Sequence, residues 1–74
     1  MTETQRLLAL NGKVGTKLKG VCQIENTVDV IEITAIGKET ILARCVEKNG
    51  KPFNGHEAAW TLSMRDWKVL EDKQ

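Results

Sequence analysis

The sequence predicts a small, mainly β, single-domain protein. We expect a meander of five short strands that closes into a partly open barrel, preceded by a short helical segment. The chain has 74 residues, which is enough for one domain with one small core. β-branched residues dominate residues 27–36, and they suit a pleated strand better than a helix. Apolar residues alternate at Ala58, Trp60 and Leu62 and resume at Trp67, as expected for two strands joined by a tight turn.

The first predicted element is a short helical segment within residues 1–12. Thr4 is the expected N-cap, and an apolar stripe follows it at Leu7, Leu8 and Leu10. So short a helix is unstable alone and must dock on something. Three arrangements are open: the segment covers an open end of the barrel, packs against a second copy of the chain, or forms a tail. The second arrangement predicts a homo-oligomer formed through the three leucines.

The barrel itself is predicted over residues 13–70. Strands are expected at Val14–Leu18, Thr27–Ile36, Thr40–Glu47, Glu57–Leu62 and Trp67–Leu70, with a loop at Gly20–Asn26. The alternation slips phase between Val30 and Ile31, which predicts a bulge or a sharp bend. Residues 48–56 form a hairpin connection with two Asn-Gly pairs, each suited to the positive φ angles of a tight reversal. Residues 71–74 are predicted to be a frayed end.

Three segments carry a resemblance to known proteins: residues 30–37, 41–44 and 60–69. Their order and spacing resemble small SH3-like β-barrel proteins, and among these the uncharacterised short proteins of bacteriophages and prophages. The likeness spans residues 13–70 and is a pattern of spacing, so it carries no site residues. It implies a five-stranded SH3-like barrel with a 3-10 turn at Ser63–Asp66 before the last strand. Its phage context implies an accessory protein that modulates a host factor, although a fold alone does not establish a function.

Composition names no partner. Eleven basic and ten acidic residues give a net charge of +1, so bulk electrostatics favour neither nucleic acid nor a membrane surface. No stretch approaches the roughly 20 apolar residues of a membrane span, and the first residues lack the pattern of a secretory signal. We therefore expect a cytoplasmic protein. Cys22 and Cys45 are isolated in apolar sequence, which predicts buried reduced thiols.

The sequence contains no catalytic signature. His56 is the only histidine and Ser63 the only serine, and neither belongs to a recognisable nucleophile motif. One histidine and two separated cysteines do not make a tetrahedral metal site. We therefore expect a non-enzymatic protein without a metal or cofactor.

The leading functional hypothesis is a non-catalytic module that binds another protein. Its candidate contact residues are Trp67, Arg65 and Phe53, because indole and arginine are common anchors of interfaces. Trp67 either presents an indole edge beside Arg65 or covers the lower end of the barrel. Phe53 is either exposed at a hairpin tip or folded back on the core. Trp60 is expected in the core.

Two alternatives come from other classes. A barrel that binds nucleic acid would use Phe53 for stacking and would contact phosphates with the basic residues Lys13, Lys17, Lys19, Arg44, Lys48 and Lys51. An oligomer would instead be able to bind a nucleotide-like small molecule between its subunits.

Overall fold

The computed structural model describes residues 1–70 of the chain, apart from the side chain of Met64. These residues form one helix, one 3-10 turn and six strands: α1 (Glu3–Ala9), β1 (Lys17–Cys22), β2 (Thr27–Ile36), β3 (Ile41–Lys48), β4 (Lys51–Pro52), β5 (Ala58–Ala59), η1 (Leu62–Met64) and β6 (Trp67–Leu70). The prediction of a mainly β protein with a short N-terminal helix is confirmed. The frayed end predicted at residues 71–74 lies outside the described residues.

All the strands belong to one antiparallel sheet. Its order is β4-β3-β2-β1-β6, and β5 pairs with β3. The hairpin after β3 adds the two-residue strand β4, so the sheet has six strands where five were predicted. Among residues 1–70, β6 pairs with β1 alone and β5 with β3 alone. The fold is therefore a six-stranded antiparallel sheet in which no pairing between β5 and β6 closes a barrel.

Strand β2 begins and ends at the predicted residues. Its pairing with β3 shifts register between Val30 and Ile31, where the apolar alternation slips, and again between Ile33 and Ala35. The predicted bulge is thus confirmed. Because of it, three successive residues at 29–31 are buried, and one of them is the charged residue Asp29.

Helix α1 packs against its own sheet. Its N-cap is Thr2, which forms a capping box with Gln5, so the prediction of Thr4 as N-cap is wrong. Thr4 is buried instead, and its hydroxyl donates to the carbonyl oxygens of Gly37 at 2.8 Å and Thr40 at 3.2 Å. These bonds between distant parts of the chain tie the helix to the connection between β2 and β3.

Strand β1 begins later than predicted. Residues 13–16 form a turn in which Gly15 has φ +94° and donates its N–H to the carbonyl oxygen of Ile33. A positive φ is costly for residues other than glycine, and at Gly15 it interrupts the extended backbone. Val14, which precedes Gly15, therefore belongs to this turn and not to the strand. The strand then continues through Gly20 to Cys22, where a loop was predicted.

The segment before β6 also differs from the prediction. The strand expected at Glu57–Leu62 is reduced to β5, because Leu62 turns inward and is buried at the start of η1. The 3-10 turn therefore begins one residue earlier than the resemblance implied and ends at Met64. In the hairpin before β5, Asn49 and Gly50 have φ values of 52° and 82°, as predicted for an Asn-Gly reversal. Residues 54 and 55 do not have positive φ.

The core lies between the inner face of the sheet, α1 and η1. Its buried members come from every large element and are Leu7, Leu18, Ile31, Ile33, Ile41, Ala43, Cys45, Leu62 and Trp67. Leu10, Ile36 and Trp60 are partly buried against them. One indole therefore lies inside the core and the other at its margin.

Candidate functional site: a groove beside Trp60

Trp67 is a core residue. It lies opposite Gly20 in the β1–β6 register, and a Cβ atom at position 20 would approach its Cε3 atom to 2.6 Å. The indole therefore lies directly over the glycine, where no other residue would leave space for it. Only 7% of the surface of Trp67 is exposed. Of the two alternatives predicted for it, the structure therefore shows the one in which the ring covers the core. It does not offer an indole edge to a partner.

Arg65 connects the two tryptophans to a buried carboxylate. Its Nη1 atom donates to Oδ2 of Asp29 at 2.7 Å, and its guanidinium carbon lies 5.4 Å from the ring centroid of Trp67 and 5.9 Å from that of Trp60. Both distances are within the range of a cation–π contact. The side chain of Arg65 is only 19% exposed. It therefore orders the segment between η1 and β6 and is not a freely available surface charge.

Trp60 is partly buried at the margin of the core, where the sequence predicted a core residue. Its ring packs edge to face on Trp67, with centroids 6.0 Å apart and an interplanar angle of 86°. Edge-to-face packing is a favoured geometry for aromatic pairs. One face of the Trp60 ring is contacted by Arg65. The rest of the indole borders two concave surfaces that meet at Ala59 and Trp60.

The larger concave surface, which we call the Trp60 groove, has a volume of about 1120 Å³. One wall is the end of β1 with the turn that follows it, where Val21 and Ile24 line the groove. The other wall is the segment from β5 to β6, where Trp60 and Arg65 line it. Ile24 is 94% exposed and Val21 is half exposed. The groove thus combines apolar side chains with an indole edge.

Charged residues line the same groove. Lys19 and Lys68 are exposed on one side, and Asp66 is nearby. The two lysines lie directly opposite each other in the β1–β6 register. Among the ion pairs of the described residues, neither lysine has a carboxylate partner. Arg65 is compensated by Asp29, so within residues 1–70 the groove has two positive charges without an ion-pair partner and one negative charge, that of Asp66.

The smaller concave surface, the Phe53 cavity, lies on the other side of Trp60. It has a volume of about 420 Å³ and is also lined by Cys45, His56 and Ala58. Phe53 is 47% exposed, and Nζ of Lys48 lies 5.6 Å from its ring centroid. The predicted contact residue Phe53 is therefore accessible, but it does not lie with Arg65 in one site.

The structure separates the predicted phosphate-binding residues into several groups. Lys17 and Lys19 lie on the outer face of β1, and Lys13 lies in the turn before it. Lys48 and Lys51 are opposite each other in the β3–β4 hairpin. Arg44 is paired with Glu32 at 3.5 Å. These residues do not form one continuous basic stripe, because Glu32 lies in register with Lys17 on one side and with Arg44 on the other.

The leucines proposed for self-association have different environments. Leu7 is fully buried and Leu10 packs against the core, whereas Leu8 is 56% exposed. Two of the three are therefore used within the chain. A homo-oligomer through α1 stays a prediction, and it would depend on Leu8.

Of the groups considered for catalysis, Cys45 and His56 both line the Phe53 cavity. His56 is exposed, and its neighbour Glu57 accepts a hydrogen bond from the hydroxyl of Thr34. Cys45 is buried and Cys22 partly buried, and both are free thiols. Among residues 1–70, no three His, Cys, Asp or Glu side chains are grouped closely enough to hold a metal ion. No helix in that range is long and apolar enough to cross a membrane.

Of the residues that line the groove, only Lys19 and Arg65 were among the predicted site residues, and Val21, Ile24, Trp60 and Lys68 were missed. Ile24 was predictable, because a β-branched residue within the polar turn Gln23–Asn26 does not belong to a strand and is therefore expected to be exposed. Lys68 was not predictable, since only the pairing of β6 with β1 places it beside Lys19.

A family described as "Domain of unknown function (DUF7241)" matches residues 2–72, and the chain belongs to this family. No curated protein and no solved structure matches the chain significantly.

Proposed function

We propose that this DUF7241 chain is a non-catalytic module that binds an extended segment of a partner protein in the Trp60 groove. The main support for the proposal is the groove itself, an open concavity with a volume of about 1120 Å³ beside a partly exposed indole. Small-molecule sites usually enclose about 300–1,000 Å³ and bury most of the ligand. The groove is only partly enclosed, so it would leave more of a metabolite exposed than such sites do, and it suits an extended peptide better.

The composition of the groove also supports binding of a protein segment. Single exposed apolar residues are ordinary, but apolar residues grouped in a concavity are typical of interaction sites. Here Val21, Ile24 and Trp60 line one concavity. Tryptophan and arginine are also the residues most often found at interface hot spots. Arg65 would contribute by holding Trp60 in place more than by direct contact, since it is largely enclosed between the two indoles and Asp29.

We also propose that the sheet curves into a partly open SH3-like barrel that is not closed between β5 and β6. The strand order supports this, because the last strand β6 pairs with β1 at the far end of a β1-β2-β3 meander. The 3-10 turn η1 just before the last strand supports it as well. Modulation of a host factor by such a barrel rests on the phage resemblance alone, and it stays a prediction.

Nucleic-acid binding has weaker support. The basic residues are divided among separate surfaces, and Arg44 is neutralised by Glu32, whereas binding of nucleic acid draws its affinity from several phosphate contacts at once. The nucleotide-like ligand between subunits also stays a prediction, and thermal-shift screening against nucleotides would test it, because a ligand of the folded state raises the melting temperature.

Selection from a random peptide library, followed by anisotropy measurements on the enriched peptides, tests the proposed function. Ile24→Ser and Trp60→Ala should each weaken binding about tenfold or more, as removal of a hot-spot side chain does. Val14→Ser is the matched control, because Val14 is an exposed valine outside the groove. Equal losses in Val14→Ser and Ile24→Ser, or no loss in Ile24→Ser, would contradict the proposal.

A further inference from the structure

Lys19 and Lys68 form a pair of like charges on the wall of the Trp60 groove. They are directly opposite each other in the register of β1 and β6. The Cβ atoms of such cross-strand neighbours are about 4.5–5.5 Å apart, and like charges in these positions destabilise a sheet. Among residues 1–70, no ion pair offsets this repulsion.

Lys48 and Lys51 also lie opposite each other, in the β3–β4 hairpin, but neither lines the groove. Lys17, two residues earlier in β1, lies opposite Glu32 of β2. The neighbour of Lys19 on that same side is Val30, which offers no charge. The positive charge of Lys19 and Lys68 is therefore found in the same groove as the apolar residues Val21 and Ile24.

From this arrangement we infer that the groove binds an extended peptide segment in which a carboxylate side chain lies next to apolar residues, with the carboxylate between Lys19 and Lys68. The inference rests on the proposed function and names the class of partner for that site. A bound carboxylate would neutralise the two facing ammonium groups. Apolar side chains of the same segment would contact Val21, Ile24 and the free edge of Trp60.

A peptide fits this surface better than a nucleic acid strand does. Asp66 lines the same groove and repels any bound anion, but a phosphate chain running along the groove brings several negative charges near it, whereas the proposed peptide needs only one. One face of Trp60 is already contacted by Arg65, which limits stacking of bases on the indole. Two uncompensated lysines are enough for one carboxylate but few for a polyanion, whose affinity grows with the number of phosphates contacted.

The test is a selection of peptides from a random dodecapeptide library on the purified full-length chain and on the double variant Lys19→Glu/Lys68→Glu. The variant keeps two like charges opposite each other, so its sheet has the same repulsion with the opposite sign. Lys13→Glu/Lys51→Glu is the control, because it changes the net charge equally at exposed positions outside the groove.

We expect the wild-type chain and the control to enrich peptides with aspartate or glutamate next to apolar residues. The groove variant should lose affinity for these peptides by about tenfold or more and should enrich lysine or arginine instead. Binding by the wild-type chain should weaken as salt is added, since exposed charges are screened.

Three results would overturn the inference. If the enriched peptides have no charge bias but still depend on Ile24, the acidic partner is wrong while the proposed function holds. If the selection enriches no peptide whose binding depends on groove residues, both the acidic partner and the proposed function are wrong. If single-stranded oligothymidylate binds the wild-type chain more tightly than any selected peptide, and the Lys19→Glu/Lys68→Glu variant loses that binding, the groove is a nucleic-acid site.

Discussion

Arg65 and Asp29 form a largely buried ion pair that joins the start of β2 to the segment before β6. The Nη1–Oδ2 distance is 2.7 Å, and the two side chains are 19% and 7% exposed. Because the guanidinium also contacts both indoles, this one pair fixes the position of the groove wall relative to the core.

Asp29→Ala should destabilise the fold. Removing one partner of a buried pair costs about 3–5 kcal/mol, but Arg65 keeps some contact with water, so we expect a loss of about 2–3 kcal/mol. Asp29 Oδ1 is buried without a hydrogen-bond partner among the described residues, which also lowers the expected loss. Urea denaturation measures this loss of stability.

Glu32→Ala is the control, because the Glu32–Arg44 pair is exposed and should contribute less than about 1 kcal/mol. Equal losses in the two variants would contradict this account.

The two tryptophans should respond differently to truncation. Trp67→Ala removes a buried ring over Gly20 and should cost about 3–5 kcal/mol, which would leave so small a protein largely unfolded. Trp60→Ala removes a partly exposed ring and should cost about 1–2 kcal/mol while weakening peptide binding about tenfold or more. Circular dichroism with urea titration measures the first effect, and anisotropy the second. A folded Trp67→Ala variant that has lost only binding would reverse the assignment.

Gly20→Ala should disturb the core although it adds a single methyl group. The new Cβ would lie 2.6 Å from the Trp67 ring, so the indole must move, and overpacking of this kind costs about 1–3 kcal/mol. The emission maximum of Trp67 should shift as the ring is displaced, in a Trp60→Phe background that isolates its signal. Val21→Ala, one residue along β1 and half exposed, should change stability by less than about 0.5 kcal/mol. If the two alanine variants are equally stable, the close approach at Gly20 is not real.

The leucines of α1 offer a further comparison. Leu7→Ala empties a fully buried position and should cost about 2–5 kcal/mol. Leu8→Ala changes an exposed side chain and should stay within about 0.5 kcal/mol. Thermal unfolding measures both. A large loss in Leu8→Ala that disappears on dilution would instead indicate that Leu8 is buried between two copies of the chain.

Local sequence patterns predicted the elements that depend on local forces. β2 was predictable because β-branched residues run through it, and the reversal at Asn49–Gly50 because that pair supplies positive φ. The bulge between Val30 and Ile31 was also predictable. The alternation of apolar residues changes phase there, and a strand can keep its apolar side chains on one face only if its pairing shifts register.

The roles of the two tryptophans were not predictable in this way. Both lie in short apolar stretches near a turn, and nothing within either stretch distinguishes them. The difference comes from Gly20, which lies far away in the chain and leaves space for one ring only. The groove shares this origin, because only the pairing of β6 with β1 places Lys68 beside Lys19.

The position of β6 has a consequence for synthesis of the protein on the ribosome. Strand β6 supplies Trp67 to the interior and pairs with β1, which is made earlier. The interior therefore cannot be completed while β6 is still in the exit tunnel. Contacts between residues far apart in the chain also slow folding. We expect the emerging polypeptide to remain open to chaperones and proteases until β6 has left the tunnel.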